Sequence, residues 1–446
     1  MDNKTIYALS TVFGKSGVAI FRISGQNAIE AIKRMTNIDT KKIKPRYAYF
    51  SRLYTLEKQP IDHALVLYFK SPNSFTGEDL VEIQSHGSKA VISSIIDNLS
   101  KIENFRLAEA GEFSRRAFYN NKMDLTEAEG LADLIDAETS EQQKYALRQM
   151  NGDLKDLYEG WRTALVNVLA HIEAYIDFPD EELPENIVLN IENTVFKVRK
   201  EIQEHLSQSN YGEKLRDGFK VVILGEPNSG KSSLLNALAQ REAVIVSDIA
   251  GTTRDAIDVY MDIGGYPVIF TDTAGLRITN EQIEKKGIEI AFTKAKEADL
   301  IIALLNAQNI NLEQFKNIVS DCKSKIIYVL NKSDTLSEKQ CFKYKKDGYI
   351  TISAKYKQGI DTLIDTIKDR ISNNFNQSST ALITRQRYRE ILNNVFKDLQ
   401  LFNLSKNIEL AAEDIRLAVR NIGKITGRVE VEEILDKIFG SFCIGK

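Results

Sequence analysis

Cysteine is scarce in this chain: Cys322, Cys341 and Cys443 are the only three among 446 residues. They lie far apart, odd in number and never as C-x-x-C, which excludes a disulfide framework and a thiolate zinc site and points to a reducing compartment. Histidine is almost as rare. His63, His86, His171 and His205 show no H-x-x-x-H or other ligand spacing, so no histidine metal centre is expected. No apolar run approaches about 18 residues, and "MDNKTIYALS" at the start is neither basic-then-apolar nor Arg-rich. Neither a membrane span nor a targeting segment is therefore expected, and the chain reads as cytoplasmic. A charge excess is also missing, since 59 Lys and Arg against 62 Asp and Glu leave −3. That gives no global pull toward nucleic acid or membrane. Any RNA contact must come from local patches, and the small cluster Lys41, Lys42, Lys44 and Arg46 reads as a solvated loop.

What is present is a globular composition, 43% hydrophobic and 27% charged. At about 150 residues per domain the length predicts roughly three. From Thr5 to about Lys70, short apolar runs such as "GVAIFRISG" and "HALVLYFKSP" surround one helix-like stretch, "NAIEAIKRM", which predicts a mixed α+β domain. After "NNKMDLTEAEG" the period becomes 3.6 and long helices follow to about Gln208. Between Lys220 and Ile371 the runs "KVVILG", "YPVIFTD", "LIIALLN", "KIIYVLN" and "YITISA" alternate with helical segments, the α/β pattern. From Thr384 the pattern is helical again. Polar stretches bracket the α/β block, so it is expected to be an insertion into one discontinuous helical domain. The expected boundaries are 1–118 for the α+β domain, 119–212 and 377–446 for the helical domain, and 213–376 for the inserted domain.

"GEPNSGKS", Gly225 to Ser232, follows a buried strand and opens a helix. Its glycines let backbone amides curl around phosphates, Lys231 can reach the β and γ phosphates, and Ser232 can bind magnesium. In "VLNKSD", Asp334 can accept from guanine N1–H and the 2-amino group. Adenine would leave that carboxylate unpaired, so the nucleotide is expected to be GTP. Ser353, Ala354 and Lys355 ("SAK") stand where this superfamily supports the base, and "DTAG", Asp272 to Gly275, ends the intervening strand. "SDIAGTTRD" offers Thr253 as a magnesium-linked switch residue. The nucleotide set is thus Asn228, Ser229, Gly230, Lys231, Ser232 and Ser233; Ser247, Asp248, Ile249, Ala250, Gly251, Thr252 and Thr253; Asp272, Thr273, Ala274 and Gly275; Asn331, Lys332, Ser333 and Asp334; and Ser353 to Lys355. A Ras-type enzyme carries glutamine after D-x-x-G, but Leu276 stands there and cannot orient water, so another group must. Asn228 could either stabilise its loop or help to hold a monovalent cation beside the phosphates.

"FGKSGVAIFRISG", "SPNSFTGEDLVEIQSHG", "GEFSRRAFYNNKMDLTEAEGLADLIDA", "IDFPDEE", "GTTRD" and "CIGK" together resemble the MnmE (TrmE) family of tRNA modification GTPases over essentially the whole chain. The resemblance implies a multidomain α/β protein with an N-terminal folate-binding domain, a discontinuous all-α domain and an inserted P-loop, Ras-like G domain. It implies a homodimer, with G domains pairing around potassium. It further implies an FAD-dependent partner, GidA or MnmG, in a heterotetramer-type complex that builds a carboxymethylaminomethyl-type group on C5 of the wobble uridine of certain tRNAs. Carried over by motif, Arg22, Glu82, Lys122 and Lys446 are expected to line a site for 5-formyltetrahydrofolate or a related folate. Potassium falls to Asn228, Ser247, Ile249 and Thr252, magnesium to Ser232 and Thr253, and orientation of water to Glu284. Ala110, where proline is usual, and Ser88, where glycine is usual, are small departures that remove no expected ligand. An Era-like assembly GTPase fits the G domain equally well, and folate binding would separate the two.

Cys443 lies four residues from the end, as in a prenylation motif, but Gly445 and Lys446 are wrong for prenyl transfer and no polybasic run precedes it. The resemblance gives Cys443 a part in modification; read without it, a buried small hydrophobe is the plain alternative.

Overall fold

The computed structural model describes residues 3–177, 185–207, 209–241, 244–245, 258–272, 293–310, 325–372, 382–404, 407–429 and 432–445. Two compact units form: Met1–Ala132 with Gln149–Thr163 and Val419–Lys446, and Asp133–Arg148 with Ala164–Ala418.

In the first unit, β1 (Thr5–Leu9), β2 (Ser16–Ser24), β3 (Tyr49–Tyr54), β4 (Pro60–Phe69), β5 (Leu80–Gly87) and β6 (Phe105–Leu107) make a six-stranded sheet ordered β3-β4-β5-β2-β1-β6. All neighbours are antiparallel except β1 and β6. Alternation along β2 and β5 buries Phe21, Ile23, Val81 and Ile83, and α1 (Ala28–Met35) and α2 (Lys89–Ser100) add Ile32, Met35, Ile92 and Ile95 to the same core. Polar residues of the other face, Arg22 and Glu82 among them, are thereby left outside that core. α3 (Glu112–Tyr119) and α4 (Leu125–Ile135) follow. Asp124 and Glu127 form a reciprocal cap on α4: the Glu127 amide donates to Asp124 Oδ1 at 2.8 Å and the Asp124 amide to Glu127 Oε2 at 2.7 Å.

α5 (Ser140–Met150), α6 (Asp153–Asp177), α7 (Glu185–Ser207) and α8 (Ser209–Asp217) lead into the second unit's sheet. Its strands are β7 (Phe219–Gly225), β8 (Val244–Ile245), β9 (Asp258–Ile263), β10 (Tyr266–Asp272), β11 (Leu300–Asn306), β12 (Ile326–Asn331) and β13 (Ile350–Thr351), ordered β13-β12-β11-β7-β10-β9-β8. From β13 to β10 all neighbours are parallel, and both faces are covered by apolar clusters. This is why these strands read as unbroken apolar runs. α9 (Lys231–Ala239), α10 (Glu338–Lys346) and α11 (Ile360–Ser372) accompany the sheet, and α12 (Gln386–Leu401) packs against α7. The chain then runs through α13 (Ile408–Thr426) to α14 (Glu432–Gly440) in the first unit, where Leu435, Ile438 and Phe439 pack with Leu125, Ala128 and Phe442. The α+β sheet, the helices and the P-loop α/β sheet are the three architectures expected from the sequence.

Candidate functional site

The loop between β7 and α9 lies at the C-terminal edge of the parallel strands, where open α/β sheets bind ligands. Gly230 has φ +96, and a Cβ there would stand 2.3 Å from Asn331 Nδ2, so only glycine allows the loop to close on β12. Asn228 also adopts a left-handed φ of 63. Lys231 Nζ donates to the carbonyls of Gly225 at 2.8 Å and Glu226 at 3.1 Å, so the lysine lies back across its own loop. Ser229 is buried, and its Oγ has no partner among the described residues. Ser232 and Ser233 are exposed on the first turn of α9.

Asn331, itself buried, joins this loop to the base-recognition loops. Its Nδ2 donates to the Ser229 carbonyl at 2.8 Å, and its Oδ1 accepts from the amides of Lys332 at 2.8 Å and Ala354 at 3.0 Å. Asp334 is exposed on a short 3-10 turn, and buried Ser353 donates to its Oδ1 at 2.5 Å. The Ser333 amide donates to the Ile352 carbonyl at 3.0 Å, fastening that turn to the strand before "SAK". Lys332 holds φ 64, and Lys355 Nζ sits 5.0 Å above the Tyr356 ring. Asp272 closes β10 beside Ile223 of β7. Ser247, Asp248, Ile249, Ala250, Gly251, Thr252, Thr253, Thr273, Ala274, Gly275, Leu276, Glu284 and Lys446 lie outside the described residues.

In the first unit, Arg22 and Glu82 are register partners on β2 and β5, with Arg22 Nε 3.0 Å from Glu82 Oε1. The Arg22 guanidinium lies 5.6 Å from the Phe75 ring centre. Phe75 belongs to the loop between β4 and β5, and on that loop a Cβ at Gly77 would stand 3.3 Å from Lys122 Cε. Arg22 and Lys122 thus border one loop, and Glu82 joins them through Arg22. The C-terminal residues are fastened within the same unit, to the end of β1 and the start of α3. The Cys443 carbonyl accepts from the Gly111 amide at 3.4 Å, Ile444 bridges Ala110, and the Gly445 carbonyl accepts from Ser10 Oγ at 3.0 Å. Cys443 is exposed, so it is not the buried hydrophobe of the plain alternative.

Sequence reasoning did not pick out the ionic network beneath this loop. Buried Arg116 pairs with Glu78 and Glu112 at 3.0 Å each, and Arg106 pairs with Glu112 at 2.6 Å. Burial raises the Glu112 carboxyl, but hydrogen bonds from Arg106, the Glu109 amide and Arg116 outweigh it and hold the group below its ordinary value. Its sequence signal is the charged pattern of "GEFSRRAF" on a short helix that buries Phe113 and Ala117.

A phosphate-cradling loop tied to a guanine-type recognition loop, on a parallel sheet within a larger chain, defines a multidomain P-loop GTP-binding protein. Comparison with known proteins narrows the class. The family model "MnmE helical domain" matches residues 125–443, and "GTP-binding protein TrmE N-terminus" matches residues 5–122. The chain is 46% identical over 446 residues to the tRNA modification GTPase MnmE of Rickettsia typhi, covering 99% of this chain and all of that protein. It is 47% identical over 449 residues to the protein of that name from a Wolbachia of Drosophila simulans, covering 100% of this chain and 99% of the other. The chain belongs to the MnmE (TrmE) family. A solved G domain of the T. maritima FeoB iron transporter is 23% identical over 35% of this chain and 98% of its own, with a TM-score of 0.27, too low to bear on the fold.

Proposed function

We propose that this chain is a GTPase of tRNA modification, binding GTP between the 226–230 loop and the loops at 331–334 and 353–355. The observation that carries this reading is Asn331, whose one side chain ties the phosphate loop to both base loops. Asp334, held by Ser353, accepts from guanine, and Lys231 leaves its own loop carbonyls for the β and γ phosphates. The glycine cradle at residue 230 and the exposed Ser232 suit a phosphate with magnesium, which when bound would neutralise charge on the phosphates. Ser232 and Thr253 hold that ion in this reading. Asn228, Ser247, Ile249 and Thr252 hold potassium, and Glu284 orients the attacking water in place of a glutamine.

The finer reading is that a homodimer works with an FAD-dependent GidA/MnmG partner on C5 of the tRNA wobble uridine, drawing one carbon from 5-formyltetrahydrofolate. Cationic Arg22 and Lys122 suit the folate carboxylates and Glu82 suits the donor edge of a pterin; Arg22 and Lys122 border one loop and Glu82 pairs with Arg22. Mass spectrometry of wobble nucleosides in cells with and without this protein tests it, the expected result being loss of the C5 group. Unchanged nucleosides would leave a GTPase without this role. Hydrolysis in potassium should exceed that in sodium at matched ionic strength, and equal rates would remove the cation site.

A further inference from the structure

Away from the nucleotide loops, α10 carries Lys339, Phe342, Lys343 and Lys346 at i, i+3, i+4 and i+7, one stripe of the helix. The opposite side leans on the sheet: the Cys341 sulfur contacts the Ser333 carbonyl at 3.9 Å, and Tyr344 packs 6.0 Å from Tyr349. Every residue of the stripe is exposed, and Phe342 is 73% exposed. None of its lysines pairs with an acid among the described residues. Ser337 and Gln340 cap the start of the helix with a complete capping box that does not involve these lysines. Ser333 links the helix to the strand before Tyr356, which is 56% exposed and followed by Lys357.

A protein of net charge −3 thus concentrates unneutralised positive charge around an exposed aromatic ring. We propose that this face of α10 docks RNA, its lysines on phosphates and Phe342 stacked on an unpaired base. The proposal rests on the reading that tRNA is the substrate and adds where the nucleotide-binding unit grips it. Charge complementarity selects a polyanion. A membrane is disfavoured because a nine-residue helix with one outward aromatic ring offers little apolar area to a bilayer.

Fluorescence anisotropy of the full chain with labelled tRNA, read across a salt series, tests it. Replacing Lys339, Lys343 and Lys346 together by alanine should weaken binding at least about 10-fold near 0.1 M salt and reduce the salt slope by about 2. Phe342→Ala should weaken binding about 5- to 100-fold with the slope unchanged, as loss of stacking does. GTP hydrolysis without RNA should be unaltered in both, reporting intact folding. Wild-type affinity and slope in both variants would overturn this face and leave the tRNA reading standing. A wild-type chain that binds no tRNA would overturn both. Binding to phosphatidylserine–phosphatidylcholine vesicles that the triple variant loses, with tRNA binding unchanged, would assign the face to membranes and overturn the proposal.

Discussion

For Asp334 to recognise a base as proposed, its carboxylate must be held still, and the holding group is Ser353 Oγ at 2.5 Å, a buried hydroxyl on another loop. Asp334→Asn should weaken GTP binding and narrow the preference for GTP over ATP with the fold intact, because the side chains are nearly isosteric. Titration with both nucleotides checks this, and an unchanged preference removes the guanine assignment. Ser353→Ala should also lower GTP affinity, by about 10- to 100-fold, as loss of one hydrogen bond to a charged group does. Aspartate in N-K-S-D was legible in the sequence because such motifs are contiguous. The use of Ser353 as its support, and of Asn331 as the joint between loops, was not. Both depend on contacts between residues far apart in the chain, 102 positions in the case of Asn331 and Ser229.

Strands of the second sheet were legible as elements because burial on both faces makes them unbroken apolar runs, whereas β8, with two residues, has too little pattern to read. Helices were legible by period, but the groups that titrate within them were not. Asp124, capping α4, is pushed up to about 6, chiefly by burial, with its Oδ2 left without a partner among the described residues. His205 on α7 is pushed down to about 4 by burial. The two act in opposite directions. The folded first unit favours protonated Asp124, so its stability rises as pH falls below about 6 toward the ordinary aspartate range. The folded second unit favours neutral His205, so its stability falls as pH drops below about 6.5. Between pH 7.5 and 5.5 each effect is about 1 kcal/mol. Hydrogen exchange, corrected for intrinsic rates, should show α4 gaining protection and α7 losing it. Asp124→Asn should abolish the first change and His205→Gln the second; parallel changes in both helices would refute the assignment.

Across the whole chain, the two ends of the sequence meet in one unit. Arg22, Glu82 and Lys122 were found by family resemblance, but their coming together rests on the β2–β5 register and the turn after α3, which no local pattern encodes. The C-terminal residues are held in the same unit by the main chain of Gly111 and Ala110 and by the Ser10 hydroxyl. Gly445 is the critical position. At φ +99, a Cβ there would stand 2.6 Å from the Leu9 carbonyl, so alanine cannot sit in the same place without moving the strand end or the tail. The tail is held by a few bonds and β1 by a whole sheet, so the tail is the part that yields. Gly445→Ala should therefore behave like deletion of Cys443 to Lys446: folate binding weakened, wobble-uridine modification lost and GTP hydrolysis retained. Cys443→Ser should separate placement from chemistry, because the exposed thiol contributes little packing and its carbonyl bond to Gly111 survives. That variant should bind folate normally while modification fails. Calorimetry with 5-formyltetrahydrofolate and nucleoside analysis on the same three variants decide the matter: full modification by Cys443→Ser would remove the thiol from the chemistry, and normal folate affinity in Gly445→Ala would remove the tail from the site.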